Sequence, residues 1–186
     1  HGMLILSPRA INRINSFISL WPIPKLFQLR KDNKLNLDIF NGATINTPSM
    51  LCVEDFLDCL EWSKKIGGLN ALVNRSLKNL EIIEDWVKST YWIDFLSEEK
   101  NTTSSTSICL KFSTKKLNNQ STEYKAKLKD FIVSILEAEG VAFDIGSYRS
   151  APPGLRIWGG PTVETNDIKR LIPWLDWAFE EGTKNI

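Results

Sequence analysis

Apolar positions in the first third of the chain predict short elements separated by prolines. Leu4-Ile5-Leu6 predicts a buried strand, and Ser7-Pro8 predicts that a helix follows, because proline suits the first helical turn. Trp21-Pro22-Ile23-Pro24 ends the helical spacing, since each proline removes a backbone donor. Apolar residues then alternate around Lys31-Asp32-Asn33-Lys34, which predicts a hairpin or an extended arm.

Two amphipathic helices are predicted in the middle of the chain. Thr47 is placed to cap the first helix and Pro48 to occupy its first position, and Gly67-Gly68 is expected to end it. The second helix is predicted from about Leu69 to Lys88, where apolar residues keep the helical period over about five turns. A stripe of this length is more typical of a core or an interface than of a cofactor-binding segment.

The C-terminal half predicts the order strand, helix, strand, strand, helix, which is typical of an α+β layer unit. The first helix begins near Thr122, and Thr165 or Asn166 caps the last one. Pro173 lies inside that last helix and is expected to kink or break it near Ile172. The predicted strands cover residues 107–112, 141–145 and 155–158.

The domain organisation follows from length and from this change of pattern. A chain of 186 residues allows one domain, or one domain and part of another. We divide it into residues 1–66 and 67–186. If the long helix belongs with the first part instead, the boundary falls between Thr90 and Asn101.

Charge and cysteine content narrow the class of protein. With 23 basic and 22 acidic residues, the net charge of +1 argues against nucleic acid or an anionic membrane as the main partner. No apolar run approaches the roughly 20 residues that span a bilayer. The odd number of separated cysteines, each in an apolar stretch, favours reduced, buried thiols in a cytoplasmic protein. They are Cys52, Cys59 and Cys109, and because the only histidine is His1, no metal site is expected.

Two groups of residues could bind an anion. Asn46 and Thr47 lie at a predicted helix start, where free backbone N–H groups and side-chain donors suit a phosphate, although from the residues alone an ordinary N-cap is the favoured explanation. Arg156 lies in a predicted apolar strand, where a charge without a partner is costly. Its planar guanidinium could bind a carboxylate with two parallel hydrogen bonds, or the side chain could point from an edge strand into water.

These two segments resemble phosphoserine aminotransferases, which are class V members of the fold-type I pyridoxal phosphate enzymes. The matching segments are Thr44-Ile45-Asn46-Thr47-Pro48 and Tyr148-Arg149-Ser150-Ala151-Pro152-Pro153-Gly154-Leu155-Arg156. The resemblance extends from His1 to Phe179. It implies an α/β fold: the end of the large cofactor-binding domain with a dimer arm, then a small C-terminal α+β domain with a short sheet packed by helices. It also implies that the chain is the C-terminal half and that the Schiff-base lysine lies upstream of residue 1, so no catalytic residue is expected here.

The resemblance assigns roles to four residues. Asn46 and Thr47 match the motif that, in a homodimer, contacts the phosphate group of the pyridoxal 5'-phosphate bound in the other subunit. Arg156 matches the arginine that binds the substrate α-carboxylate. Arg149 matches an arginine that contacts the substrate phosphate, although Tyr148 stands here in place of a histidine and the spacing to Arg156 is one residue longer than usual.

The implied activity of the whole enzyme is amino transfer between glutamate and 3-phosphohydroxypyruvate, giving phosphoserine and 2-oxoglutarate for serine biosynthesis. A related activity in pyridoxine biosynthesis is also implied. Two alternatives stay open: another class V aminotransferase, such as a serine–glyoxylate enzyme, and a non-catalytic dimerising fragment. The 186-residue chain alone is expected to be inactive.

Overall fold

The architecture was obtained as a computed structural model, which describes residues 4–113, 117 and 119–186. Its contacts divide the chain into two units, residues 1–62 and 63–186. The assignment of the two sequence-defined parts to the large and small domains of an aminotransferase stays a prediction.

The first unit is built from short elements joined by side-chain hydrogen bonds. Helix α1 covers Pro8–Ser16, so the predicted helix start is confirmed, and the Ser7 hydroxyl caps the helix by accepting a 3.2 Å hydrogen bond from the Ala10 N–H. Strands β1 (Arg30–Lys31) and β2 (Lys34–Leu35) form the predicted hairpin. Its two turn residues, Asp32 and Asn33, adopt left-handed conformations with φ of 50° and 63°.

Two predictions in this unit are wrong. Leu4–Leu6 forms no strand and Ile5 is 92% exposed, because no strand in the described residues pairs with this segment. Helix α2 covers Met50–Lys65 and does not begin at Thr47. The Ser49 hydroxyl accepts a hydrogen bond from the Cys52 N–H, which caps the helix two residues later than expected.

In the described residues, the second unit packs three long α-helices and a three-stranded sheet around one apolar core. The helices are α3 (Gly68–Ser89), α4 (Thr122–Ala138) and α5 (Thr165–Asn185), and the strands are β3 (Ile93–Phe95), β4 (Ser107–Phe112) and β5 (Gly154–Trp158). All neighbouring strands are antiparallel, in the order β3-β4-β5. The alternation in β4 buries Ile108, Leu110 and Phe112, so one face of the sheet covers the core. The predicted α+β organisation is confirmed.

Local details of this unit differ from the sequence-based expectation. The segment 141–145 is not a strand, because Asp144 is left-handed (φ 52°) and interrupts the extended backbone; only Gly146 pairs with Leu155. Strand β3 was not predicted, since three residues carry little pattern. Helix α5 continues through Pro173 without a break. Its N-cap is Glu164, because the Thr165 hydroxyl is bonded to the Asn79 side chain instead.

Candidate functional site

Strand β5 places Arg156 on the sheet face that does not cover the core. Its neighbours Leu155 and Ile157 are buried in the core, and Arg156 pairs in register with Cys109 of β4. The side chain of Arg156 is only 18% exposed, so the arginine does not extend into water. The alternation of β5 therefore holds a cation at a half-buried position on this face.

Asp144 and Tyr148 surround the guanidinium. Arg156 Nη2 donates a 2.7 Å hydrogen bond to Asp144 Oδ2 and a 3.2 Å hydrogen bond to the Asp144 carbonyl oxygen. The guanidinium carbon lies 4.6 Å from the centre of the Tyr148 ring, which is a cation–π contact. The hydrogen bond to Asp144 raises the pKa of Arg156 above its ordinary value, while burial opposes this rise. The side chain is thus a permanent cation with a fixed orientation.

One donor of this guanidinium is not satisfied. Arg156 Nε is buried and has no hydrogen-bond partner among the described residues. A buried donor without a partner is costly unless a ligand meets it. Because Asp144 accepts only from Nη2, an incoming carboxylate or phosphate could accept from the donors on Nε and Nη1.

Arg149 lies in the turn that connects the Asp144 segment to β5. The Ala151 N–H donates to the Tyr148 carbonyl oxygen at 3.0 Å, which closes this turn, and the Arg149 side chain is exposed. In the described part of the chain, the Arg149 side chain has no hydrogen-bond or ion-pair partner. The turn therefore presents a second cation a short distance along the chain from the first, free to meet an anion.

Asn46 and Thr47 lie in a loop of the first unit. Both residues are exposed, and the Asn46 carbonyl oxygen accepts a 2.8 Å hydrogen bond from the Thr44 hydroxyl. Within the described residues, neither side chain has a hydrogen-bond partner, so their amide and hydroxyl donors are available. These donors fit a phosphate, which is the chemistry expected of a cofactor-phosphate contact.

Sequence reasoning found Arg156 but missed Asp144 and Tyr148 as its partners. Their approach depends on the pairing of Gly146 with Leu155 and on the left-handed Asp144. The only signal in the sequence was an acidic residue inside the predicted apolar strand 141–145. The buried-thiol expectation is also wrong for Cys52 and Cys59, which are exposed; Cys109 is partly buried, and all three are free.

No helix in the described ranges is long and apolar enough to cross a membrane. No family model matches the chain. Curated proteins match the chain over nearly its whole length. Phosphoserine aminotransferase from Methanosarcina mazei is 49% identical over 180 residues, which is 97% of this chain and 46% of that protein. Phosphoserine aminotransferase from Methanosarcina barkeri is 50% identical over 179 residues, covering 96% of this chain and 46% of that protein.

By sequence, the chain is similar to phosphoserine aminotransferases over nearly its whole length. It spans about half the length of the curated relatives it matches, which is consistent with the C-terminal half expected from the sequence.

Solved phosphoserine aminotransferase structures share the fold. The structure from Bacillus circulans subsp. alkalophilus has a TM-score of 0.62 and 21% identity, covering 77% of this chain and 36% of that one. A phosphoserine aminotransferase studied for radiation damage of its Schiff base has a TM-score of 0.66 and 17% identity, covering 92% of this chain and 42% of that one. The predicted fold class is confirmed.

Proposed function

We propose that this chain is part of a pyridoxal 5'-phosphate-dependent phosphoserine transaminase. The reaction is amino transfer between glutamate and 3-phosphohydroxypyruvate, which yields phosphoserine and 2-oxoglutarate for serine biosynthesis. The observation that carries the proposal is the identity of about one half, over nearly the whole chain, with two curated phosphoserine aminotransferases.

Arg156 binds the α-carboxylate of both substrates in this proposal. The half-buried guanidinium and its unsatisfied Nε support this role, because a carboxylate would provide the missing acceptor. Both the amino donor and the oxo acceptor carry that carboxylate, so one clamp serves both halves of the reaction.

Arg149 contacts the substrate phosphate. Its exposed position in the turn before β5 suits a ligand group that extends away from the carboxylate clamp. Tyr148, in the place of the family's histidine, packs its ring on Arg156 and so supports the carboxylate clamp. A single arginine thus provides most of the phosphate recognition in this segment.

Asn46 and Thr47 bind the cofactor phosphate in the partner subunit of a homodimer. Their available donors support this role. When bound, the cofactor withdraws electrons from the substrate Cα and so eases proton transfer there. The protein's own residues position both the substrate and the cofactor. Arg156 holds the substrate carboxylate, and the uncharged donors of the 44–48 loop hold the cofactor phosphate. We place the protein in the cytoplasm, and we infer that the 186-residue chain is inactive by itself.

A substrate comparison with the whole protein that carries this chain tests the proposal. With glutamate as donor, 3-phosphohydroxypyruvate should be a far better acceptor than glyoxylate or hydroxypyruvate. Arg149→Ala should reduce kcat/KM selectively for the phosphorylated acceptor, whereas Arg170→Ala, an exposed arginine on α5, should have no effect. Equal loss for phosphorylated and plain acceptors would favour a serine–glyoxylate type of enzyme. Preference for a longer phosphorylated hydroxy-oxo acid would favour the pyridoxine route, and no turnover would favour a non-catalytic dimerising protein.

A further inference from the structure

The Asp144 carboxylate occupies the guanidinium nitrogen that any two-bond carboxylate ligand of Arg156 needs. A guanidinium has two edges that can donate a parallel pair of hydrogen bonds: one pairs Nε with Nη2, and the other pairs Nη1 with Nη2. Nη2 belongs to both edges. Because Asp144 Oδ2 and the Asp144 carbonyl oxygen both accept from Nη2, at 2.7 Å and 3.2 Å, neither edge is complete for a second carboxylate.

The carboxylate of Asp144 is nevertheless easy to displace. The Asp144 side chain is 90% exposed, while that of Arg156 is only 18% exposed. Water can therefore hydrate the Asp144 carboxylate when this group moves away from Arg156. Ion pairs with an exposed partner are weak. The Asp144 carbonyl oxygen and the Tyr148 ring also contact the guanidinium, so its orientation does not depend on the carboxylate alone.

We propose that Asp144 is a place-holder for the substrate carboxylate: its side chain neutralises Arg156 in the unliganded protein and leaves Nη2 when the substrate arrives. This proposal rests on the proposed function, since it takes Arg156 as the substrate-carboxylate clamp. Asp144 thereby sets the affinity of the clamp. Every carboxylate ligand must displace Asp144, so its affinity for Arg156 is lower by the strength of the Asp144–Arg156 ion pair. In the unliganded protein, the same ion pair keeps other anions from binding to Arg156.

Selective modification of arginine with phenylglyoxal measures this exchange without relying on activity. The cofactor-loaded whole protein would be treated with phenylglyoxal, and modification of Arg156 would be followed by peptide mass spectrometry, with and without 2-oxoglutarate as the carboxylate probe. Asp144→Asn removes the charge and retains a residue that tolerates the left-handed conformation (φ 52°). Asp130→Asn is the matched control, because Asp130 is also an exposed carboxylate in an ion pair, with Lys129.

In Asp144→Asn we expect Arg156 to react roughly two- to fivefold faster than in the unmodified sequence, as expected for loss of a weak ion pair. We expect 2-oxoglutarate to half-protect Arg156 at a concentration lower by roughly the same factor. Asp130→Asn should change neither value. Protection in both proteins, but equal or weaker in Asp144→Asn, would overturn the place-holder role and leave the proposed function standing. No protection of Arg156 in either protein would overturn the carboxylate clamp itself, and the inference with it.

Discussion

The Trp92 indole donates a 2.8 Å hydrogen bond to the Asp176 carboxylate, across 84 residues of sequence. The Trp86 indole donates to the same carboxylate at 3.1 Å. Trp92 also stacks on Phe179, with ring centres 4.4 Å apart and planes within 10°. One carboxylate on α5 therefore satisfies two indole donors from the end of α3 and the segment before β3, and it fixes how these elements pack.

Asp176→Ala should destabilise the second unit substantially. The substitution leaves two indole N–H groups without acceptors, and Trp86 and Trp92 are 5% and 1% exposed. Each buried donor left unpaired costs about 1–3 kcal/mol, so the loss of both acceptors should lower the free energy of unfolding by about 2–6 kcal/mol. Urea denaturation followed by circular dichroism measures this loss. Glu180→Gln, an exposed change on the same helix, should leave the midpoint within experimental error.

A second stability prediction concerns Asn79, which is fully buried in α3. Its amide donates to the carbonyl oxygens of Gly159 at 3.1 Å and Val163 at 3.1 Å, and its oxygen accepts from the Thr165 hydroxyl at 2.8 Å. Asn79→Ala should reduce the free energy of unfolding by about 2–4 kcal/mol, because several buried acceptors lose their donor. Thermal denaturation gives the comparison.

The control for Asn79 is available on the same helix. Asn74 is exposed, and Asn74→Ala should be neutral or slightly stabilising, since alanine has the higher helix propensity. If the two alanine variants unfolded at the same temperature, the hydrogen bonds of Asn79 to the loop after β5 would make no measurable contribution to stability.

The long regular elements were predictable because their patterns repeat. Helix α3 was expected from about Leu69 to Lys88 and covers Gly68–Ser89. Its apolar positions recur over many turns, so a single irregular residue changes little. The hairpin around Asp32 and Asn33 was predictable for a local reason, since these residue types tolerate left-handed backbone.

The errors fall where tertiary contacts override the local pattern. The Leu4–Leu6 run is apolar enough for a strand, but a strand needs a partner edge, which no local pattern supplies. Thr165 has the chemistry of a cap, yet its hydroxyl is bonded to Asn79, more than 80 residues away in sequence. The same holds at the site: the sequence indicated Arg156, whereas the approach of Asp144 depends on a left-handed residue and a single strand pairing.

Arg156→Lys in the whole protein should lower kcat/KM for glutamate and for the oxo acid alike. A lysine retains the charge but cannot donate two parallel hydrogen bonds or reproduce the flat contact with the Tyr148 ring. A hydrogen bond to a charged group contributes about 1.5–3 kcal/mol, so loss of one of the two parallel bonds should reduce kcat/KM roughly 10-fold or more. Steady-state kinetics with both substrates measure it, with Arg170→Lys as the control. Unchanged glutamate turnover would contradict the clamp.

The last prediction concerns the 186-residue chain by itself. Incubated with pyridoxal 5'-phosphate and reduced with borohydride, it should give weak labelling spread over several lysines, and it should show no transaminase activity. No lysine in the described ranges is buried, so none has the desolvated surroundings that activate an amine as a nucleophile. Hydrogen bonds from Lys31 to Asp38 and from Lys184 to Glu181 raise the pKa values of these two amines further, which makes them still poorer nucleophiles. Peptide mass spectrometry locates the adducts. One lysine labelled stoichiometrically within this chain would show that it contains the cofactor-binding amine after all.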